Sequence, residues 1–449
     1  MRSGMLRFFK AGARYFCLIV LKVSARVPLL LEFLLSYPKV AAFHQRHYSK
    51  LHIGENIAEN FFLTGKFHYV PHNSSDFDFE TRVKFALAKN DQEKLYETLS
   101  NRFAGEKPVR KKKFQLKSSE PLKIGFFCTY VDSDIFQFTV SQYNEAYKGI
   151  IWTACLIGKP TFFERKLGLP VIFFPDVSKA VDYADRNFDI VVDADGPLRP
   201  KNFRPVLLQT TSVCMNYYNF LSSYFDNIHD LFVSVKGVPT NANPASEKLV
   251  ELPAMGAWSL DQVNLKDCDY KYDLAVIGEQ FKLCKTFLSE YSTLSHKFRI
   301  VFVGLRDVKF FQRQLKEHNW HLSNVFFKPR LSLLDFMDFL NYCKAVLDTL
   351  SYSGGSSTLV ALRSGCPVLA RRGDYLVSAI SSAMLVEMGL EELVLNDAQK
   401  IETFLETTTN LQLRQLRHKV QCATNSSMYF NPAKFLPVFD SEIRKCLKG

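Results

Sequence analysis

Ser353-Gly354-Gly355-Ser356-Ser357-Thr358 is the stretch of this 449-residue chain whose residue types best suit an anion. Two glycines let a ligand approach the backbone closely. Three hydroxyls follow, and the unpaired N–H groups of a helix start, aided by the helix dipole, hold phosphate oxygens. The same residues fit a second reading, in which Ser356 or Ser357 only caps the helix. Asp132, Asp134, Asp193 and Asp195 stand at expected carboxyl ends of strands in the first half of the chain. A carboxylate there is placed to accept the proton of a hydroxyl nucleophile, although strand-end aspartates also build turns. Arg330, just after Lys328-Pro329 at another expected strand end, is a candidate cation.

The elements that must position these groups are legible around the turn. Ala345 to Leu350 reads as a short buried strand, a helix of about three turns starts near Ser356, and a second buried strand begins at Pro367. Continuous apolar runs flanking a helix indicate a parallel βαβ unit, whose ligands collect at the carboxyl ends of its strands.

Similar elements precede it. Expected strands are Leu122 to Tyr130, Val171 to Phe174, Phe188 to Asp193, Val206 to Val213 and Leu231 to Val235, with a helix across Val177 to Arg186. After a polar connector near Asp261 to Tyr272 a second series begins, with Tyr272 to Gly278, Phe298 to Gly304 and Val325 to Lys328. Alternating strands and helices make doubly wound sheets. The expected organisation is a helical, basic N-terminal region with a linker over residues 1–117 and two Rossmann-like α/β domains over 118–265 and 266–449.

The net charge of +12 is uneven, because the first fifty residues carry nine Lys and Arg against Glu32 alone. Arg7, Lys10, Arg14, Lys22 and Arg26 gather on one side of an apolar helix, a pattern that suits an anionic membrane surface or a helix packed on the protein's own lobes. Nucleic acid is disfavoured, since no binding module is recognisable. No apolar run is long enough to span a bilayer, and no small-residue cleavage site marks a signal peptide. The ten cysteines are scattered without C-x-x-C pairs or histidine spacing, which points to a reducing cytoplasmic compartment and away from a zinc site. No internal repeats are seen.

Leu347 to Leu393 resembles the donor-binding lobe of glycosyltransferase family 41, the O-GlcNAc transferase and SPINDLY group. Asp348-Thr349, Gly354-Gly355-Ser356-Ser357-Thr358, Ala361-Leu362, Gly365-Cys366-Pro367-Val368, Gly373-Asp374, Ser378 and Gly389-Leu390-Glu391-Glu392-Leu393 follow in the family's order. Leu122-Lys123-Ile124-Gly125, Phe188 to Gly196, Arg204-Pro205 with Leu208-Gln209, and a closing helix at Ser426 to Phe435 extend the resemblance over about residues 120 to 445.

The resemblance implies a GT-B fold and an enzyme that moves GlcNAc or glucose from a UDP-sugar to an acceptor hydroxyl. The acceptor would be a lipopolysaccharide-type or lipid-linked glycan, or alternatively a protein, and the tetratricopeptide array of many members would be missing. It places Lys282, in Gly278-Glu279-Gln280-Phe281-Lys282, on the donor diphosphate, with Gln280 beside it. Asp134 takes about the place of a histidine of the protein-modifying members. Asp132-Ser133-Asp134 and Asp193-Ala194-Asp195 match the D-x-D signature of metal-dependent GT-A enzymes, but a two-domain layout implies metal-free chemistry, with no cofactor besides the donor. Three positions depart from the family: Val360 replaces a ribose-binding aspartate, Leu333 a lysine, and Gly355 a histidine. The glycine at 355 is shared with many bacterial members, whereas Val360 and Leu333 also fit a non-catalytic relative that serves as an interaction partner.

Overall fold

The computed structural model describes residues 121–127, 139–157, 168–194, 204–217, 228–238, 240, 247–266, 269–278, 282–305 and 308–448. The expected basic N-terminal helix and the linker lie outside the described residues.

Among the described residues twelve strands form two sheets. The first contains β1 (Leu122–Phe127), β2 (Ile150–Ile157), β3 (Val171–Phe174), β4 (Ile190–Asp193), β5 (Val213–Asn216), β6 (Leu231–Val235) and β7 (Lys248–Leu252). Its order is β3-β2-β1-β4-β5-β6-β7, with every pairing parallel. The second contains β8 (Tyr272–Ile277), β9 (Ile300–Val303), β10 (Val325–Lys328), β11 (Cys343–Leu347) and β12 (Val368–Leu369). It runs β10-β9-β8-β11-β12, again all parallel. Both sheets thus reverse strand order at one internal point, between β1 and β4 and between β8 and β11, and such a point opens a crevice at the strands' carboxyl ends.

The strands form because their residues are apolar on both faces, as buried parallel strands must be. All of Leu231-Phe232-Val233-Ser234-Val235 and of Ile300-Val301-Phe302-Val303 is buried. The principal helices are α1 (Val177–Asn187), α2 (Arg204–Gln209), α3 (Lys285–Glu290), α4 (Val308–Glu317), α5 (Leu333–Phe339), α6 (Ser356–Arg363), α7 (Leu376–Glu387), α8 (Ala398–Thr407), α9 (Asn410–Ser426) and α10 (Pro432–Lys448). Asp176 starts α1 by accepting the Lys179 amide at 2.9 Å. Among the described residues no helix is long and apolar enough to cross a membrane.

Several expectations are corrected. Val206 to Val213 is not one strand: Arg204–Gln209 is helix and β5 starts at Val213. A short apolar run does not distinguish the two states. The strands β2 and β7 were not expected at all. The helix after the glycine-serine turn spans eight residues and is shorter than anticipated. Ser426 to Phe435 is a junction, with α9 ending at Ser426 and α10 starting at Pro432.

The last helix ties the two sheets together. It returns from the second lobe to pack on β7 and on the turn Tyr143–Ala146 beside β2. Phe439 lies 5.7 Å from Trp152 and 5.3 Å from Tyr217, ring centre to ring centre. The Tyr147 hydroxyl donates to Asp440 at 2.8 Å, and Arg444 donates to the same carboxylate at 2.6 Å. One continuous cluster of buried apolar side chains therefore runs through both sheets.

Candidate anion site at the switch point of the second sheet

The strands β8 and β11 are neighbours, with Val276 opposite Leu347, so the loops leaving their carboxyl ends emerge side by side. The first loop carries Lys282 and the second the glycine-serine turn. Lys282 is half-buried, donates from Nζ to the Ser353 carbonyl at 3.2 Å and lies 4.5 Å over the Tyr352 ring. The structure thus brings together the lysine and the turn, which are far apart in sequence.

The turn has an inner and an outer half. On the inner side the Gly354 amide donates to Asp348 Oδ1 at 2.7 Å, and the Ser381 hydroxyl of α7 donates to the Gly354 carbonyl at 2.9 Å. Thr358 is 2% exposed and its hydroxyl pairs with that of Ser381 at 2.9 Å. The Thr358 hydroxyl, read from sequence as a phosphate ligand, and the Gly354 N–H are thus occupied within the protein. Gly354 has to be glycine, because a Cβ there would stand 2.2 Å from Thr358 Oγ1.

On the outer side Gly355, Ser356 and Ser357 are partly exposed. Gly355 caps α6 without any side-chain bond, so the reading in which a serine caps this helix is not realised. No atom lies within 4 Å of where a Gly355 Cβ would be, which leaves open space over the first turn of α6. The first amides of a helix have no partner inside it and carry partial positive charge. Lys282, these amides and the hydroxyls of Ser356 and Ser357 make a compact set of donors.

Asp348 sits beneath them, only 7% exposed. Burial pushes its carboxyl up to about 6, against the opposing pull of the Gly354 amide, the Ser381 hydroxyl and the Lys282 charge. Asp348 belongs to the family's motif order, which assigns it no task. Its place at the end of a buried strand, six residues before Gly354, is the signal that was available.

Beside the donors lies a cavity of about 600 Å³, lined by Gly278, Gly304, Arg330, Leu333, Phe336, Ser356, Ser357, Val360 and Trp258 among others. Arg330 is exposed on its wall. Leu333 and Val360, two of the three departures from family 41, face this one cavity and make it more apolar than the motif implied. Trp258 and Phe336 were not anticipated, since neither belongs to a motif.

Of the remaining candidates only Asp193 is described. Asp193 ends β4 opposite Phe127 of β1, at the first sheet's own reversal point. Asp132, Asp134, Asp195 and Gln280 lie outside the described residues. Among the described residues no three His, Cys, Asp or Glu side chains gather as a metal site would require.

No protein-family model matches the chain. No curated protein matches it either. Solved structures do. A lysine-to-methionine mutant of the Thermobaculum terrenum O-GlcNAc transferase is similar over 97% of this chain and 93% of that one, with TM-score 0.71 and 17% identity. A glycosyltransferase involved in avilamycin A biosynthesis covers 73% of this chain and 99% of its own at TM-score 0.45 and 13% identity. The pneumococcal O-GlcNAc transferase GtfA, solved with UDP and GlcNAc, covers 58% of this chain and 57% of its own at TM-score 0.36 and 14% identity. The first of these likenesses, with the two Rossmann-ordered sheets, shows that the chain has the GT-B fold.

Proposed function

We propose that this chain is a glycosyltransferase of the O-GlcNAc transferase and SPINDLY type that moves GlcNAc or glucose from a UDP-sugar to an acceptor hydroxyl. The observation that carries the reading is the contact of Lys282 with the Gly354 turn at a switch point. The lobe over residues 266–449 takes the nucleotide sugar and the lobe over 118–265 takes the acceptor. When the bond from the sugar's anomeric carbon to the diphosphate breaks, negative charge develops on the departing UDP. The Lys282 ammonium, the first amides of α6 and the hydroxyls of Ser356 and Ser357 stabilise that charge, with Gln280 and Arg330 as further donor-side contacts. The acceptor oxygen forms the new bond from the opposite face and passes its proton to a carboxylate, for which Asp134 and Asp195 are the candidates. Inversion and independence from metal follow from such a direct displacement with protein-borne leaving-group stabilisation. The nucleoside would occupy the cavity bounded by Trp258, Leu333, Phe336 and Val360.

The acceptor we favour is a lipopolysaccharide-type or lipid-linked glycan, met at the cytoplasmic face of a membrane through the basic N-terminal segment. A protein hydroxyl is the second reading. A relative that has kept the fold without catalysis is the third, and the apolar Val360 and Leu333 favour it. The test is release of UDP from UDP-GlcNAc and UDP-glucose by wild type and Lys282→Ala, with mass spectrometry of envelope glycans and proteins from cells with and without the gene. Lys282-dependent release and one missing hexose or N-acetylhexosamine support the enzyme. No release from either donor leaves the non-catalytic reading.

A further inference from the structure

A second cavity, of about 770 Å³, lies between the two lobes. One wall is the end of the first sheet, with Val235, Lys236, Gly237, Val238 and Pro253. The other is the segment after β12, Arg371 to Asp374, together with the Ala379, Ser382, Ala383 and Val386 face of α7. Lys236 immediately follows β6, in a turn closed by the Val238 amide on the Val235 carbonyl at 3.1 Å, with Gly237 at φ 75°. Arg371 and Arg372 immediately follow Ala370, the continuation of β12, which bridges to Val394. The cationic residues thus follow the carboxyl ends of strands in both sheets and line one cavity there, where parallel sheets receive ligands.

The charges are not balanced internally. Arg371 is held by the Glu290 carboxylate at 3.0 Å. Of the acids on the wall, Glu387 accepts the Met428 amide at 2.9 Å and the Ser427 hydroxyl, and Asp374 is already engaged. Lys236 and Arg372 are exposed, and neither has an ion pair among the described residues. The small side chains on α7 leave room for a ring. The opposite face of α7 is bonded to the turn, the Ser381 amide donating to the Ser353 hydroxyl at 3.3 Å, so cavity and turn are one helix diameter apart, about 10 Å.

We propose that this cavity binds the anionic group, phosphate or carboxylate, of a charged sugar on the acceptor. The role as acceptor subsite rests on the glycosyltransferase reading, whereas the affinity for an anionic sugar does not. A lysine and an arginine lining one cavity from two lobes suit a phosphate or carboxylate, and a neutral glycan would leave both unused.

Calorimetric titration of the full chain with glucose-6-phosphate, glucuronate and glucose, with and without UDP, tests it. Glucose-6-phosphate or glucuronate should bind and glucose should not. The variant carrying Lys236→Ala and Arg372→Ala should bind the charged sugar about tenfold or more weakly with unchanged thermal unfolding, while Lys282→Ala leaves that affinity intact. Charge-blind binding, full affinity in the double variant, or loss in Lys282→Ala would overturn the proposal. Retained binding of the charged sugar without any UDP binding would sink the glycosyltransferase reading and leave the anionic-sugar site standing.

Discussion

Asp348 Oδ1 accepts the Gly354 amide at 2.7 Å, and this bond holds the inner side of the glycine-serine loop whose next residues, Ser356 and Ser357, line the cavity. Its carboxyl titrates at about 6, above the ordinary value near 4, because it is buried. The folded protein therefore holds this proton more tightly than the unfolded chain. The resulting stability is complete below about pH 4 and is lost as pH rises through about 6, with no further change from this group above that. Asp348→Asn keeps an acceptor for Gly354 and cannot titrate. Denaturation midpoints from pH 4 to pH 8 should fall by the equivalent of about 2 kcal/mol in wild type and stay level in the variant. Parallel curves would contradict the assignment.

The two glycines of the turn should respond differently to a methyl group. At Gly354 it would meet Thr358 Oγ1 at 2.2 Å, so Gly354→Ala should destabilise by about 1–3 kcal/mol. At Gly355 no atom lies within 4 Å and φ is −110°, so Gly355→Ala should fold normally. The methyl would instead occupy the space over α6, and UDP affinity should drop while the melting temperature holds. Chemical denaturation and nucleotide titration of both variants check the contrast.

The return of α10 to the first sheet makes a third prediction. Phe439 is fully buried against Trp152 and Tyr217, so Phe439→Ala should cost about 3–5 kcal/mol in urea unfolding. Because that cluster is continuous with the second sheet, loss should appear as one transition for the whole described body. A change below about 1 kcal/mol would mean that the helix does not hold the lobes.

The sequence carried the local parts of this structure better than its long-range ones. Val171–Phe174, Leu231–Val235 and Val325–Lys328 are strands over the ranges expected, because each is a largely apolar run bounded by polar residues or proline. Lys248–Leu252 was missed because an edge strand with exposed Lys248, Leu249 and Glu251 has a weak pattern. Nothing in its residues hid Ile150–Ile157, which is as apolar as the strands beside it. The Gly354 turn was legible from its residue types, but Lys282 and its pairing with that turn only through the order of the family motifs, since no local rule states that two loops meet. The inward orientation of Thr358 and of the Gly354 amide depends on Asp348 and Ser381 being buried together, which is a property of packing. Trp258 and Phe336 line the cavity for the same reason.

Calorimetric titration of UDP into the full chain, wild type against Lys282→Ala, tests the central claim most directly. Wild type should bind UDP, and removal of the ammonium should weaken binding about ten- to hundredfold with unchanged thermal unfolding. Equal affinity in the two proteins, or no binding of UDP or GDP by wild type, would contradict the account.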